Sequence, residues 1–171
     1  MLMIRPIAPL LVFALAGCVA SPTRPQADAA APPFTPIAFF IGHTEGHGLL
    51  RVVASRARSV HVLGTGQIAP NGTLNLIQRV EQEGKKPRTR TWSIKGDGAG
   101  GYESVLSDAS GPVLVTVESG RLHIRFRAKG AVRIEQWLTL EPGGRVARNH
   151  LVVHKFGIRV ATLDETISKI D

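Results

Sequence analysis

The sequence predicts an all-β fold, a single antiparallel up-and-down β-barrel of about eight to ten strands. Three observations carry this. Apolar and polar residues alternate with period two through segment after segment, the pattern of half-buried strands. Leu122, Ile124, Phe126 and Ala128 alternate with Arg121, His123, Arg125 and Arg127; Val132, Ile134, Leu138 and Leu140 alternate with Arg133, Glu135, Trp137 and Thr139. Turn residues fall between the segments at Pro70-Asn71-Gly72, Gly84 to Pro87, Gly96 to Gly101, Ser119-Gly120, Lys129-Gly130 and Pro142-Gly143-Gly144. Beyond the N-terminal apolar run, no segment carries a helical period. Short strands joined by hairpin-length turns close most simply as a barrel.

Taken in order, the strands are expected near 49–55, 59–68, 73–82, 88–95, 101–106, 112–118, 121–128, 131–140, 145–155 and 158–168. Leu74, Leu76 and Val80 mark the third, with Gln78 interrupting its apolar side. His43 and His47 precede the first expected strand, in a Gly-rich stretch that reads as a loop.

Ahead of the strands lie two segments of different character. Residues 1–17 hold one cation, Arg5, and an apolar run from Ile7 to Ala16 that is too short to span a bilayer. The run ends in Leu15-Ala16-Gly17-Cys18, which resembles a bacterial lipobox. The resemblance implies a signal peptide cut before Cys18 and acyl chains on that cysteine. Each buried methylene contributes about 0.8 kcal/mol, and stable anchoring takes more than one chain. Residues 18–36 are rich in Pro, Ala, Ser and Thr, so they read as the acylated cysteine and a tether. Residues 37–171 are left for the barrel domain. Cys18 is the single cysteine of the chain, so no intramolecular disulfide supports the core.

The formal charge is +8 and the pI about 10.6. An anionic surface or ligand is a natural partner for such a chain. Nucleic acid fits poorly with an envelope address and with so few aromatic stacking platforms. The basic surface is either a solvated face or a membrane-facing patch.

Phe39-Phe40-x-Gly42, Arg90-x-Trp92, Gly101-Tyr102, Asp108-x-x-Gly111, Trp137, Asn149 and Lys155-Phe156-Gly157 follow one another in an order that resembles the Gram-negative lipoprotein family catalogued as domain of unknown function 3833. The resemblance spans about residues 37 to 168. It implies a lipocalin-like barrel and an envelope lipoprotein, with a hint of lipid as ligand. Gln136 stands before Trp137, where the family pattern has an acidic residue.

Specific chemistry is sparse. His43/His47 and His150/His154 have four-residue spacing, which on a helix would place two metal ligands on one face. His150 and His154 lie in a strand pattern, where that spacing covers about 13 Å, too far for one zinc. His43 and His47 sit in a Gly-rich loop that could fold round an ion, but no carboxylate cluster in the sequence supports it. No metal or cofactor is therefore expected. No Gly-x-Ser-x-Gly elbow or close carboxylate pair marks a catalytic centre, and no enzyme is expected. Asp108 reads as a turn cap, and Gly96 to Gly101 as a hairpin loop rather than a phosphate cradle.

The candidate ligand residues are Arg90, Trp92, Tyr102 and Trp137. Arg90 and Trp92 share a strand face, and an inward arginine beside aromatics suits a carboxylate or phosphate headgroup. Equally, the two tryptophans could close one barrel end as core. The function expected is binding of a small apolar or amphipathic molecule, such as a fatty acid or lipid, by a lipoprotein of the periplasmic face of the outer membrane. A scaffolding lipoprotein that docks through its basic face is the alternative.

Overall fold

A computed structural model describes residues 31–170; Cys18, the apolar run before it and most of the expected tether lie outside the described residues. Ten strands follow one short helix, α1 (Pro36–Phe40): β1 (Gly42–Val52), β2 (Arg58–Ile68), β3 (Leu74–Gln82), β4 (Arg88–Gly96), β5 (Tyr102–Leu106), β6 (Leu114–Glu118), β7 (Arg121–Ala128), β8 (Val132–Leu140), β9 (Val146–Lys155) and β10 (Ile158–Lys169). Each strand pairs antiparallel with its sequence neighbours, and β1 also pairs with β10, closing the barrel. The lipocalin-like, up-and-down barrel expected from alternation and turns is thus observed.

Alternation decides which side chains enter the barrel. Leu122, Ile124 and Phe126 are buried inside, and Arg125 projects to solvent. Leu74, Leu76, Trp92, Ile94, Leu138 and Leu140 complete the same apolar interior with their neighbours. The weakest seam is between β5 and β6, where one pair, Tyr102 and Val115, links the two strands.

Two features depart from the sequence expectation. First, β1 starts at Gly42, so His43 and His47 stand on a strand and not in a loop. Its inner face carries Thr44, Gly46 and Gly48, and glycine erases the apolar alternation by which a strand is recognised. Gly48 is required by space, since a Cβ there would meet the backbone carbonyl of Asp164. A Cβ on Gly46 would collide with the Glu165 carboxylate, and one on Gly66, at the end of β2, would collide with the backbone carbonyl of Phe40. Glycine within a strand marks such close approaches.

Second, the folded unit begins at Phe34 and not at residue 37. Phe34 is 2% exposed, and its amide donates to the Gly120 carbonyl at 2.9 Å. Phe34, Phe39 and Phe40 form a tight aromatic cluster, with Phe39 and Phe40 edge-to-face at 4.9 Å. Pro36 opens α1, where the missing N–H costs nothing. Lys169 closes it: its ammonium donates to the carbonyls of Ala38, Phe39 and Ile41 at 3.2, 3.1 and 2.7 Å. One turn of helix is thereby pinned across the barrel end that carries the β2–β3, β4–β5, β6–β7 and β8–β9 turns. The opposite end, bounded by the other five hairpin turns, is the mouth. The closed sheet and its plug, with every strand pairing among the described residues, lie wholly within residues 34–170.

The plug and the deepest core layer should dominate stability. Leu122→Ala should cost about 2–5 kcal/mol and Phe39→Ala about 3–5 kcal/mol, measured by urea unfolding. Gly66→Ala should also destabilise, because backbone and not a movable side chain occupies the space its methyl would need.

Candidate functional site

Most of the interior is apolar, but a polar layer crosses it between plug and mouth. Gln78 on β3, Arg90 and Trp92 on β4, Gln136 on β8 and Glu165 on β10 converge on a cavity of about 20 Å³, room for a single water. Gln78 organises one side. Its Oε1 accepts from Arg90 Nε at 2.8 Å and from Trp92 Nε1 at 2.9 Å. The two residues the sequence singled out as sharing a face are thus held by one acceptor. The Arg90 guanidinium also lies 5.9 Å from the Trp92 ring.

Glu165 forms the other side. Asn149 Nδ2 donates to its Oε2 at 2.8 Å, while Oε1 is buried with no hydrogen-bond partner. Burial pushes the Glu165 carboxyl above its ordinary range; the Asn149 hydrogen bond and the charges of Arg90 and His47 pull the other way and lose. Burial likewise lowers the Arg90 guanidinium, with the Glu165 charge opposing. The oxygens of Gln136 and Asn149 are also buried without a partner. The space suits one trapped water, which can donate to the two unpaired oxygens on its lining, Glu165 Oε1 and Gln136 Oε1.

The remaining sequence candidates separate. Tyr102 is half-buried at the β5–β6 seam, against the main core. Trp137 does not face the interior, which corrects the expectation that it lines a pocket there. Its neighbours Gln136 and Leu138 take the inward positions, so period two turns Trp137 to the outer wall. There it stacks on His123 at 3.6 Å, under the Arg121 guanidinium at 4.8 Å. His123 hydrogen-bonds Glu118 and Glu135 at 2.9 and 2.8 Å and is only 4% exposed, although it faces outward. Asp97 explains the Gly96–Gly101 segment, accepting from the amides of Ala99 and Gly101 at 2.8 and 2.9 Å. It is a hairpin loop. Asp108 is engaged by Arg88.

Sequence reasoning passed over a second outer-wall group. His47 and His61 face each other across β1 and β2, stacked at 4.7 Å, and Glu45 Oε1 lies 2.7 Å from His61 Nε2 and 3.3 Å from His47 Nε2. Glu81 meets the other nitrogen of His61 at 3.4 Å. The Glu45 hydrogen bond raises the His61 pKa, with burial opposing and Glu81 adding. The signal lay in registry across strands, which four-residue spacing along one strand does not reveal.

At the mouth end, a depression of about 870 Å³ spans the ends of β6 to β9. Its apolar part comes from Leu114, Phe126 and Ile134, and its charged groups are Arg125, Arg127 and Arg133 with one carboxylate, Glu135. This volume is within the range of small-molecule sites.

The polar layer makes two predictions. Gln78→Leu would strand two buried donors and should cost about 2–5 kcal/mol, measured by chemical unfolding. Glu165 has a raised folded pKa, so the folded state holds its proton after the unfolded state has lost it. That contribution to stability is intact below the unfolded carboxyl pKa and declines as pH rises toward the folded one. Glu165→Gln should therefore gain on the wild type as pH rises above the ordinary carboxyl range in parallel unfolding curves; a difference that stays constant with pH would refute the assignment.

The barrel has solved counterparts. An S-type phycobiliprotein lyase, CPES, from Guillardia theta superposes with a TM-score of 0.64 at 7% identity, over 79% of this chain and 90% of that one. A DUF3598-family protein of unknown function from Nostoc punctiforme gives 0.60 at 15% identity, over 85% of this chain and 53% of that one. Such low identities show the fold alone. The expectation that the chain is not an enzyme does not stand, because the first of these structures is a lyase built on the same barrel. No curated protein matches the sequence. The sequence profile of the family described as protein of unknown function DUF3833 matches residues 12–169, nearly the whole chain, and the protein belongs to that family.

Proposed function

We propose that the protein is an envelope lipoprotein, anchored through Cys18, whose barrel takes up a small amphipathic anion of the fatty-acid or lipid class at its mouth. One observation carries the ligand: the mouth depression sets Leu114, Phe126 and Ile134 beside Arg125, Arg127 and Arg133. An acyl tail removes apolar surface from water at about 25 cal/mol per Å², and arginine holds a carboxylate or phosphate in a two-pronged grip. The polar layer deeper in the barrel is not this site, since about 20 Å³ holds a water and not a chain. Arg90 and Trp92 are instead held by hydrogen bonds to Gln78 across β3 and β4. The lipobox-like Leu15-Ala16-Gly17-Cys18 supports the anchor, and Val19 after it, in place of an aspartate, supports the outer membrane.

Calorimetry with dodecanoate and with dodecanol tests the ligand. Dodecanoate should bind saturably. Arg127→Ala and Arg133→Ala should each weaken it by about 1.5–3 kcal/mol, the scale of a hydrogen bond to a charged group, and affect dodecanol little. Leu114→Ser should weaken both. Absence of saturable binding, or equal losses for acid and alcohol, would remove the proposed site. For the anchor, mass spectrometry of the mature N-terminus should find acyl chains on Cys18; a free thiol there would overturn the lipoprotein assignment.

A further inference from the structure

We infer that the mouth end docks on an anionic lipid surface through the β9–β10 and β1–β2 hairpin tips. The inference rests on the exposure of the tips; Gly157 of the β9–β10 turn also lines the ligand depression, whereas Val53 of the β1–β2 turn does not. Phe156, Ile158 and Val53 are 77, 70 and 69% exposed. They stand on neighbouring turns, joined by the hydrogen bond from the Val53 amide to the Val160 carbonyl at 3.0 Å. Burial inside the barrel does not account for them.

The turn itself carries a second sign. Lys155 pairs with Ile158, leaving Phe156-Gly157 as a two-residue turn with φ of 51° and 81°. Such turns favour Asn-Gly or Asp-Gly, because both central residues take positive φ. A bulky residue there is a conformational outlier that costs free energy. At the plug end, the matching two-residue turn carries Ser119 before Gly120. Phenylalanine at the mouth therefore spends stability to place an aromatic ring in water, which is profitable only if the ring is later covered.

Charge identifies what covers it. Lys155 and Arg159 flank the tip, the Lys155 ammonium lying 5.7 Å from the Phe156 ring, and Lys129 stands on the adjoining β7–β8 turn. None of the three is in an ion pair among the described residues, and Lys85 and Lys86 extend the basic rim on the β3–β4 turn. The rim's carboxylates are already engaged, Glu83 by Arg56 and Asp108 by Arg88. At the plug end the turns carry Asp97 and Glu141 against Arg145. Apolar tips ringed by uncompensated cations match an anionic headgroup layer over acyl chains.

Flotation of residues 19–171, which lack the cysteine and hold the whole barrel, tests this. The protein should float with vesicles containing phosphatidylglycerol, less so as salt rises, and not with pure phosphatidylcholine. Phe156→Asn should bind at least tenfold more weakly while its Tm rises by about 2–4 °C, because the turn is relieved. Lys155→Glu with Arg159→Glu should lose about fivefold or more per charge. Val53→Asn, on the β1–β2 tip that does not line the ligand depression, should weaken flotation and leave dodecanoate titration unchanged, which separates this inference from the proposed ligand site. No flotation with phosphatidylglycerol, equal flotation with neutral vesicles, or undiminished binding by Phe156→Asn would overturn it.

Discussion

The barrel closes through β1, and β1 can close it only because its inner face has almost no side chains. That strand must pair with β2 on one side and β10 on the other. β10 brings Glu165 inward opposite Gly48, where a Cβ would meet the backbone carbonyl of Asp164, and its carboxylate reaches over Gly46. Gly66 makes the same allowance for the Phe40 carbonyl at the plug. Closure, the buried carboxylate and the aromatic plug therefore share one constraint, a wall of backbone thin enough for other groups to pack against. A closed sheet leaves no edge to pair with another chain, and the interior can then carry a polar layer that an open sheet would hydrate.

The legible part of the fold was the part where side chains alternate. β7 and β8 could be placed to within a residue because Leu122–Phe126 and Ile134–Leu140 repeat with period two between glycine turns. β1 was half hidden, since Gly42, Gly46 and Gly48 carry no hydropathy to alternate. The plug was hidden for another reason: Phe34 lies among prolines, and only the geometry of the barrel end makes it core. Trp137 teaches the converse. Its own alternation with Gln136 and Leu138 already placed it outside, but aromatic character drew it toward a pocket. The outer wall buries it by stacking on His123 and Arg121, an outcome that depends on β7 and β8 meeting in register and that no single segment records.

The candidate site was legible in pairs and not as a whole. Arg90 and Trp92 were joined by spacing, and they do share an acceptor. That acceptor, Gln78, entered the sequence reading as an interruption in an apolar series. Glu165 drew no notice, and its significance comes from opposite walls of the barrel. Interior polar residues on separate strands are linked only by closure, so their grouping follows from register. The same holds for Glu45, His47 and His61 on the outside.

The two ends of the barrel are built on opposite economies of surface. At the plug, Phe34, Phe39 and Phe40 bury one another, and Lys169 satisfies the carbonyls that so short a helix leaves open. At the mouth, the chain exposes Phe156 on a turn that would be more stable with asparagine. An anchor at Cys18 would leave the barrel at the plug end, yet this does not tie that end to the membrane. Fifteen residues separate Cys18 from Phe34, a contour of about 45–55 Å. β10, the longest strand at 12 residues, spans about 40 Å along its axis, and less along a tilted barrel. The segment is long enough to pass from plug to mouth. An acyl anchor at Cys18 and the apolar tips would therefore be able to meet the same lipid surface.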